Sequence, residues 1–467
     1  MARESKGKRQ RAAKRRQRMS RRFIAVDYEE VLNAKIRLGD VLPANHLARF
    51  VVSTIGELDL DGIYAGYGEE GGAAYAPELL LGLLVYGYAT GVFSSRKLER
   101  ATYEMVPFIY IAGGKHPDHD TINTFRSRFL GEVKELFVQV LLMAQAMNIL
   151  QLGNISLDGS KLHADASKSQ AVSYGRLLEL ETLLRQEVTE LFELAERAEM
   201  PEGFDVPAEI DLRQQHLAGL AKAKAVLEMR AAARHAQEMA EYEAKLKERA
   251  EKAQRKGKQP PGRPPQAPTP GARDKDQYNF TDPDSRIMKN GNKGNFEQCY
   301  NGQVAVDQKT LLIVATTLSN HPNDQQEALP TVDAIAPALG VPAAIAMDAG
   351  YFSQTNVEGL CEREIDPYIA TGREPHHVNW QRVLERLPAP PSPDAPLALQ
   401  MAYKLRTEIG QRIYRMRKCT VEPVFGIIKE VIGFRQLSLR GLDKAAGEWS
   451  LVCLAFNFKR LHTIRTA

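Results

Sequence analysis

The 467-residue sequence predicts an α/β core that is interrupted by a long helical insertion and preceded by a helical region. Three observations predict it. Segments of strand length lie at 153–158, where polarity alternates, and again between 298 and 370. Between these sets, Leu177, Leu180, Leu184, Val188, Leu191 and Ala195 recur at three- and four-residue steps, the spacing of one helix face. Six prolines at 260–270 then form a linker that returns the chain to strand-forming sequence.

From the N-terminus, residues 1–22 carry eleven Lys or Arg against one acid, Glu4, although the whole chain has a net charge of only +4. Such a block repels itself, stays extended and attracts polyanions, so it reads as a basic disordered arm able to order on nucleic acid. No apolar run follows it, as a secretory signal would require, and no stretch of about twenty apolar residues occurs anywhere, which argues against a membrane span. Cys299, Cys361, Cys419 and Cys453 lie far apart with no C-x-x-C pair. A disulfide framework or zinc knuckle is not expected, and a reducing cytoplasm fits.

Residues 23–150 read as helical. Leu79, Leu80, Leu81, Leu83, Leu84, Val85 and Tyr88 form an apolar run too short for a bilayer and suited to a buried helix. Ser94 and Ser95 open another helix as polar caps. A loop at 113–120 follows, with Thr121 as cap of a helix bearing Phe125, Arg126 and Arg128. His116, Asp118, His119 and Asp120 match no structural zinc spacing and are taken as a turn and cap. Short helices joined by such loops resemble helix-turn-helix modules, which makes 23–150 a candidate all-α DNA-binding domain.

The remaining residues, 151–467, contain five expected strands: 153–158 ending at Asp158, 298–306 and 311–318 around Asp307-Gln308-Lys309, 343–347 ending before Asp348, and 366–370. The insertion, at about 168–280, pairs the amphipathic helix with a second helix at about 209–255 and then the linker. Either it is a surface hairpin, or it clamps DNA or pairs with a second subunit. Its mixed charge favours pairing or an architectural role.

Asp158 and Asp348 each follow an apolar strand, which holds an acid rigidly at a sheet edge. Magnesium takes oxygen ligands and few protein carboxylates. Two such ions serve phosphodiester displacement when about three carboxylates hold them. Taken singly, a strand-end Asp is also a common turn former.

The segment Tyr414-Arg415-Met416-Arg417-Lys418-Cys419-Thr420-Val421-Glu422-Pro423-Val424-Phe425-Gly426-Ile427-Ile428-Lys429 resembles the C-terminal signature of bacterial insertion-sequence DDE transposases, in which Tyr, Arg, the catalytic Glu and Lys follow at fixed steps. Gly433-Phe434-Arg435, Asp158-Gly159-Ser160-Lys161, Asp348-Ala349-Gly350-Tyr351, Asp282-Pro283-Asp284-Ser285-Arg286 and the stretch 117–126 also match, and the likeness covers about 40–465. Within these transposases it is nearest the group numbered eleven-eighty-two. The resemblance implies a ribonuclease-H-like core, a mixed five-stranded sheet with helices. It implies Asp158, Asp348 and Glu422 as catalytic residues and ligands of two Mg²⁺ ions, with Mn²⁺ able to substitute. It also implies double-stranded DNA as partner, both terminal inverted repeats and target, and a homodimer in the synaptic complex of a nucleoid-associated bacterial protein. Competing readings are a domesticated DNA-binding remnant and a nuclease that cuts without joining.

In the usual signature three residues separate Arg from Glu. Here Arg417 has four before Glu422, and Lys418 has three. Arg415, Lys418, Glu422, Gly426 and Lys429 share one face of an uninterrupted helix, with Arg417 toward another side, so Lys418 or Arg415 is a candidate replacement for the arginine. Pro423 disfavours helical geometry at Glu422 and predicts a kink or a helix restart there. Tyr414, Arg415, Arg417, Lys418, Lys429, Arg435, Lys161, His163 and Arg126 are candidate DNA contacts. Lys161 and His163 face away from Asp158 if the strand continues, and toward DNA if the chain turns at Gly159. Asp282 and Asp284 read as turn formers, and Asn301 as a polar contact near the site.

Overall fold

The computed structural model describes residues 23–24, 37–68, 72–197, 203–258, 262–290, 295–372, 389–392 and 394–466. The basic arm expected over 1–22 lies outside the described residues. The chain forms two compact units: Met1–Asp165 with Met288–Gly294 and Cys299–Ala467, and Ala166–Ile287 with Asn295–Gln298.

In the first unit, strand β1 (Phe23–Ile24) pairs parallel with β2 (Ala74–Tyr75), among helices α1 (Leu47–Ile55), α2 (Asp61–Ala65), α3 (Pro77–Thr90), α4 (Ser95–Glu104), α5 (Val106–Ile111), α6 (His119–Arg128) and α7 (Leu130–Ala146). The apolar run predicted to be a buried helix is α3, begun by Pro77 at its first turn and closed by Gly91 in the left-handed region. The cap of α6 is Asp118, whose Oδ1 accepts from the Thr121 N–H at 2.6 Å, rather than Thr121 itself.

The C-terminal helix α14 (Leu442–Thr466) is buried around most of its circumference and packs against α3 and α7. Its Glu448 is fully buried and accepts from Tyr88 Oη at 2.7 Å and from the Ser438 and Leu439 N–H groups at 2.7 and 3.0 Å. The N-terminal helices therefore share one core with the C-terminal helix.

That helix also packs against the sheet. Its strands are β3 (Asn154–His163), β6 (Arg286–Asn290), β7 (Asn295–Asp307), β8 (Ile313–Ser319), β9 (Ala344–Met347) and β10 (Asp366–Ile369), in the order β10-β9-β3-β7-β6, with β8 also pairing β7. Among the described residues the sheet has six strands where five were expected. The extra one, β6, reads Arg-Ile-Met-Lys-Asn and lacks the apolar run of a buried strand. Strand β3 does not end at Asp158 but continues five residues, because each of them pairs with β7. Helices α10 (Ala328–Asp333), α11 (Gln354–Glu362), α12 (Leu397–Arg406) and α13 (Glu408–Gly426) complete the unit. Ile413 seats α13 on Ala344, Ala346 and Tyr368. Gln308 Nε2 ties it further, donating to Ile413 O at 3.1 Å and to Ser156 Oγ at 3.0 Å.

In the second unit, β4 (Ala171–Ser173) pairs antiparallel with β5 (Gln277–Asn279), beside a hairpin of α8 (Tyr174–Arg197) and α9 (Val206–Lys256). Val172, Leu177, Leu220, Ala223, Leu227 and Tyr278 make its core, with Leu180 and Leu184 from the sequence-predicted stripe packed against it. Lys224–Glu181 at 3.0 Å and Arg213–Glu187 at 2.7 Å cross-link the helices. The later half of α9 is held by Arg234–Asp276 and Arg273–Glu238, both bridges to the returning segment.

Candidate active site

The register of two parallel strands brings the candidate aspartates side by side. Asn154, Ile155 and Ser156 of β3 pair with Ala344, Ile345 and Ala346 of β9. Each aspartate is four residues beyond the first residue of that ladder, so continuing the register sets Asp158 opposite Asp348. Neighbouring strands lie about 4.8 Å apart. Apolar side chains bury β9 completely, which fixes the strand that delivers Asp348. Asp348 then leaves the sheet and caps the following turn, accepting from the Gly350 N–H at 2.8 Å.

Asp158 sits mid-strand with a side chain only 21% exposed. Its carboxyl is pushed up to about 7, first by burial and then by the negative charge of Asp348. Arg417 opposes this, as does the Gly159 N–H, which donates to Asp158 Oδ1 at 2.8 Å; Asp324 adds to the upward push. Arg417 reaches Asp158 from α13, its Nη1 lying 3.2 Å from Oδ2, and its own side chain is 10% exposed. A buried ion pair of this kind is costly to break, because the survivor is left charged and unsolvated.

A polar cluster lies on the face of β3 away from Asp158. Side chains alternate along a strand, so Gly159 and Lys161 face opposite to Asp158. There Asp324 Oδ1 accepts from Asn301 Nδ2 at 2.7 Å, Gln303 Nε2 at 3.0 Å and Lys161 Nζ at 3.3 Å. Gln303 Oε1 in turn accepts from the buried hydroxyl of Tyr351. Burial, then the charges of Asp158, Asp324 and Asp348, keep that phenol well above its ordinary range. Asp324 and Gln303 were not singled out from sequence. The Asn-Asp pair at 323–324 carries only a turn signal.

Residues 36–128 match a family model described as a transposase domain (DUF772), and residues 266–458 match one described as a transposase DDE domain. Both matches are to transposases. Together they support an insertion-sequence transposase, and with it DNA transposition and an enzymatic role. The DDE-domain match includes Asp348 and Glu422, while Asp158 falls between the two matched regions. No curated protein and no solved structure matches the chain.

Within the DDE-domain match, α13 runs through Pro423 as one helix, and Glu422 lies inside it. The expected restart at Glu422 is corrected. Cys419, whose carbonyl loses its helical donor, and Pro423 are both exposed, so the missing bond falls where water can replace it. A π-turn, Ile427–Val431, continues the helix. Ile413, Arg417, Thr420, Val421 and Val424 form the buried face of α13, and Glu422 lies on the exposed one. Among the described residues no group of three or more His, Cys, Asp or Glu side chains is arranged to hold a metal ion. The structure thus pairs Asp158 with Asp348 and does not gather Glu422 with them.

The other candidates separate by exposure. Arg417 is the helix arginine that meets Asp158, while Lys418 and Arg415, the candidate replacements, are exposed on α13. Tyr414 is half-buried beside it, with the Arg417 guanidinium 5.8 Å from its ring centre. Lys429 is turned inward, donating to Ser160 Oγ at 2.6 Å and Lys161 O at 2.8 Å, and burial lowers its pKa. Arg435 is exposed and paired with Glu430. His163 is half-buried at the end of β3, where its N–H donates to Arg435 O at 3.1 Å. Arg126 is not a surface contact. It is 7% exposed and donates to Tyr88 Oη at 3.0 Å, Phe93 O at 3.2 Å and Asn123 Oδ1 at 2.7 Å, so its role is to satisfy the core around Glu448.

Proposed function

We propose that the chain is a DNA transposase of the insertion-sequence group numbered eleven-eighty-two, with a ribonuclease-H-like core. It cleaves the phosphodiester at the element's ends and joins the freed 3′-hydroxyl to target DNA. The observation that carries this reading is the nearness of Asp158 and Asp348, each two residues past the hydrogen-bonded ladder of β3 and β9 and close enough for the charge of Asp348 to raise the Asp158 carboxyl. Two carboxylates, with that of Asp158 raised by burial and by the charge of Asp348 and offset by the guanidinium of Arg417, form an oxygen donor set suited to a hard divalent cation. Asp158 and Asp348 would hold Mg²⁺, or Mn²⁺ in its place, and Glu422 is the third acid. The bound cations supply activation of a water on one side of the phosphodiester and stabilisation of the leaving oxygen on the other.

The chain's own groups do the positioning. Arg417 holds the Asp158 carboxylate in one orientation through their ion pair. Arg415 and Lys418, exposed on the same helix, offer cations to the DNA backbone, and the exposed Arg435 is a further candidate contact. Lys429, drawn against β3, fixes the end of the helix to the strand that bears Asp158. In this reading residues 23–150 and the basic arm 1–22 bind the terminal inverted repeats, and the hairpin unit pairs subunits in a homodimeric synaptic complex of a nucleoid-associated protein.

The test is Asp158→Ala and Asp348→Ala in the full chain, assayed with Mg²⁺ on DNA carrying the element's ends. Loss of cleavage in both supports the assignment. Full activity in either overturns it. A pre-cut end with a free 3′-hydroxyl separates a transposase, which joins it, from a nuclease, which does not.

A further inference from the structure

The polar cluster behind β3 has no part in the chemistry assigned above, yet it is built with unusual economy. Three segments distant in sequence meet at one carboxylate oxygen: Lys161 from β3 and Asn301 and Gln303 from β7 donate to Asp324, which comes from the loop after β8. Gly159 leaves the room. A Cβ there would lie 2.2 Å from Gln303 Nε2 and 2.9 Å from Asp324 Oδ1, closer than side-chain atoms pack. Gly350 does the same on the other flank, where a Cβ would lie 3.0 Å from Asp348 Oδ1 and 4.0 Å from Asp324 Oδ2. Asp324 and Asp348 thus flank one glycine.

The hydrogen bonds have a direction. Gln303 donates its amide N–H to Asp324, so its amide oxygen is left facing Tyr351 and accepts from the phenol. Tyr351 ends the turn that Asp348 caps. Asp324 therefore orients Gln303, Gln303 holds Tyr351, and Tyr351 anchors the turn that carries Asp348. Without the carboxylate, the Gln303 amide is free to flip and the phenol loses its acceptor.

We propose that Asp324 is a positioning residue for the aspartate pair, acting on Asp348 through Gln303 and Tyr351 and on β3 through Lys161. The proposal rests on the metal-dependent reading of Asp158 and Asp348. Hydrogen-bond partners one step removed from a metal ligand commonly contribute about 10–100-fold in affinity.

The experiment is Mn²⁺ binding by calorimetry to the full chain without DNA. Asp324→Ala is expected to weaken Mn²⁺ about tenfold or more, Tyr351→Phe by a smaller factor, and Asp324→Ala with Tyr351→Phe by no more than Asp324→Ala alone, because both act along one chain. Asp324→Asn keeps an acceptor oxygen and is expected to restore most of the affinity. Unchanged affinity in Asp324→Ala overturns the proposal. So does a double variant whose loss is the product of the two single losses, and so does Asp324→Asn binding as weakly as Asp324→Ala. Should Asp324→Ala not fold, Tyr351→Phe beside Asp324→Asn decides: weakened binding in the first with near-normal binding in the second supports the chain, and normal binding in the first overturns it. Asp158→Ala is the control. If it binds Mn²⁺ as tightly as the unaltered chain, the metal-site reading itself has failed, whatever the Asp324 variants do.

Discussion

The strand pair and helix α13 support their acids in different ways. Asp158 is held mid-strand by its pairing with β7, and Asp348 directly follows a strand whose register with β3 is hydrogen-bonded, so the sheet fixes the backbone at or next to both. Glu422 stands on the exposed side of a helix whose buried side is fixed by Ile413, Arg417, Thr420, Val421 and Val424. A sheet register specifies position to within one residue, since a slip reverses every side chain. A helix face specifies only a direction. The difference teaches that a strand and a helix fix their acids to different degrees; on the proposed reading, two acids are pre-organised and the third would be recruited by DNA or a second subunit.

The largest effect separates these two kinds of support. Without DNA, Asp158→Ala and Asp348→Ala are expected to weaken Mn²⁺ binding by about a hundredfold or more, and Glu422→Gln by no more than about threefold. With DNA, Glu422→Gln is expected to slow cleavage by about a hundredfold or more, the loss of several kcal/mol of transition-state stabilisation. Calorimetry and a cleavage time course read the two halves. Equal Mn²⁺ losses for Glu422→Gln and Asp348→Ala would break the comparison.

Next in size is Arg417→Ala, which leaves Asp158 buried without its cation. A buried survivor that stays charged costs about 3 kcal/mol or more, but Asp158 can take up a proton instead, about 1.4 kcal/mol for each pH unit above 7, which limits the loss at pH 8.5 to about 2 kcal/mol. Asp158 titrates near 7, so this cost appears above that pH and fades below it, where the carboxyl is neutral. Urea unfolding of the metal-free protein at pH 5.5 and 8.5 checks it. A pH-independent loss would mean that Arg417 acts by packing alone.

How much of this was legible in the sequence varies with how local each feature is. The run 344–347 announced a buried strand and Asp348 after it, since four apolar residues before an acid need no partner to be recognised. The continuation of β3 past Asp158 was less so, because Gly159, Ser160 and Lys161 owe their strand conformation to pairing with β7. The inward placement of Arg417 had a signal: it is four residues after Ile413 and four before Val421, on an apolar face. Motif spacing drew attention to Lys418 instead. Asp324 had none, because its meaning exists only where residues 161, 301, 303 and 351 meet. Arg126 shows the opposite failure, since a helix arginine near a loop reads as exposed until Tyr88 and Glu448 enclose it.

The pH dependence of binding is smaller and follows from the burial of Asp158 and, after it, the charge of Asp348. A carboxyl raised to about 7 is neutral below that pH and ionised above it. Metal binding needs the ionised form, so Mn²⁺ affinity should rise about tenfold per pH unit below 7 and level off above it. The metal-free fold responds with the opposite sign. A raised carboxyl contributes stability below its unfolded value, about 3.9, and loses it as pH climbs through about 7. Affinity that is flat between pH 5.5 and 7 would detach Asp158 from the metal and leave the pair unsupported.

The smallest effect bears on the helix alone. Pro423 lies inside α13 without ending it, on the solvent side where the carbonyl of Cys419 can be hydrated. A proline in a helix interior costs up to about 3 kcal/mol relative to alanine, and the exposed setting recovers part of that, so Pro423→Ala should raise unfolding stability by about 1 kcal/mol. If the proline also shapes the helix around Glu422, the more stable variant should cleave DNA roughly threefold or more slowly, with Mn²⁺ affinity in the absence of DNA unchanged. A gain in stability with no loss of cleavage would show that the helix needs no proline to present its glutamate, and that recruitment depends on the DNA alone.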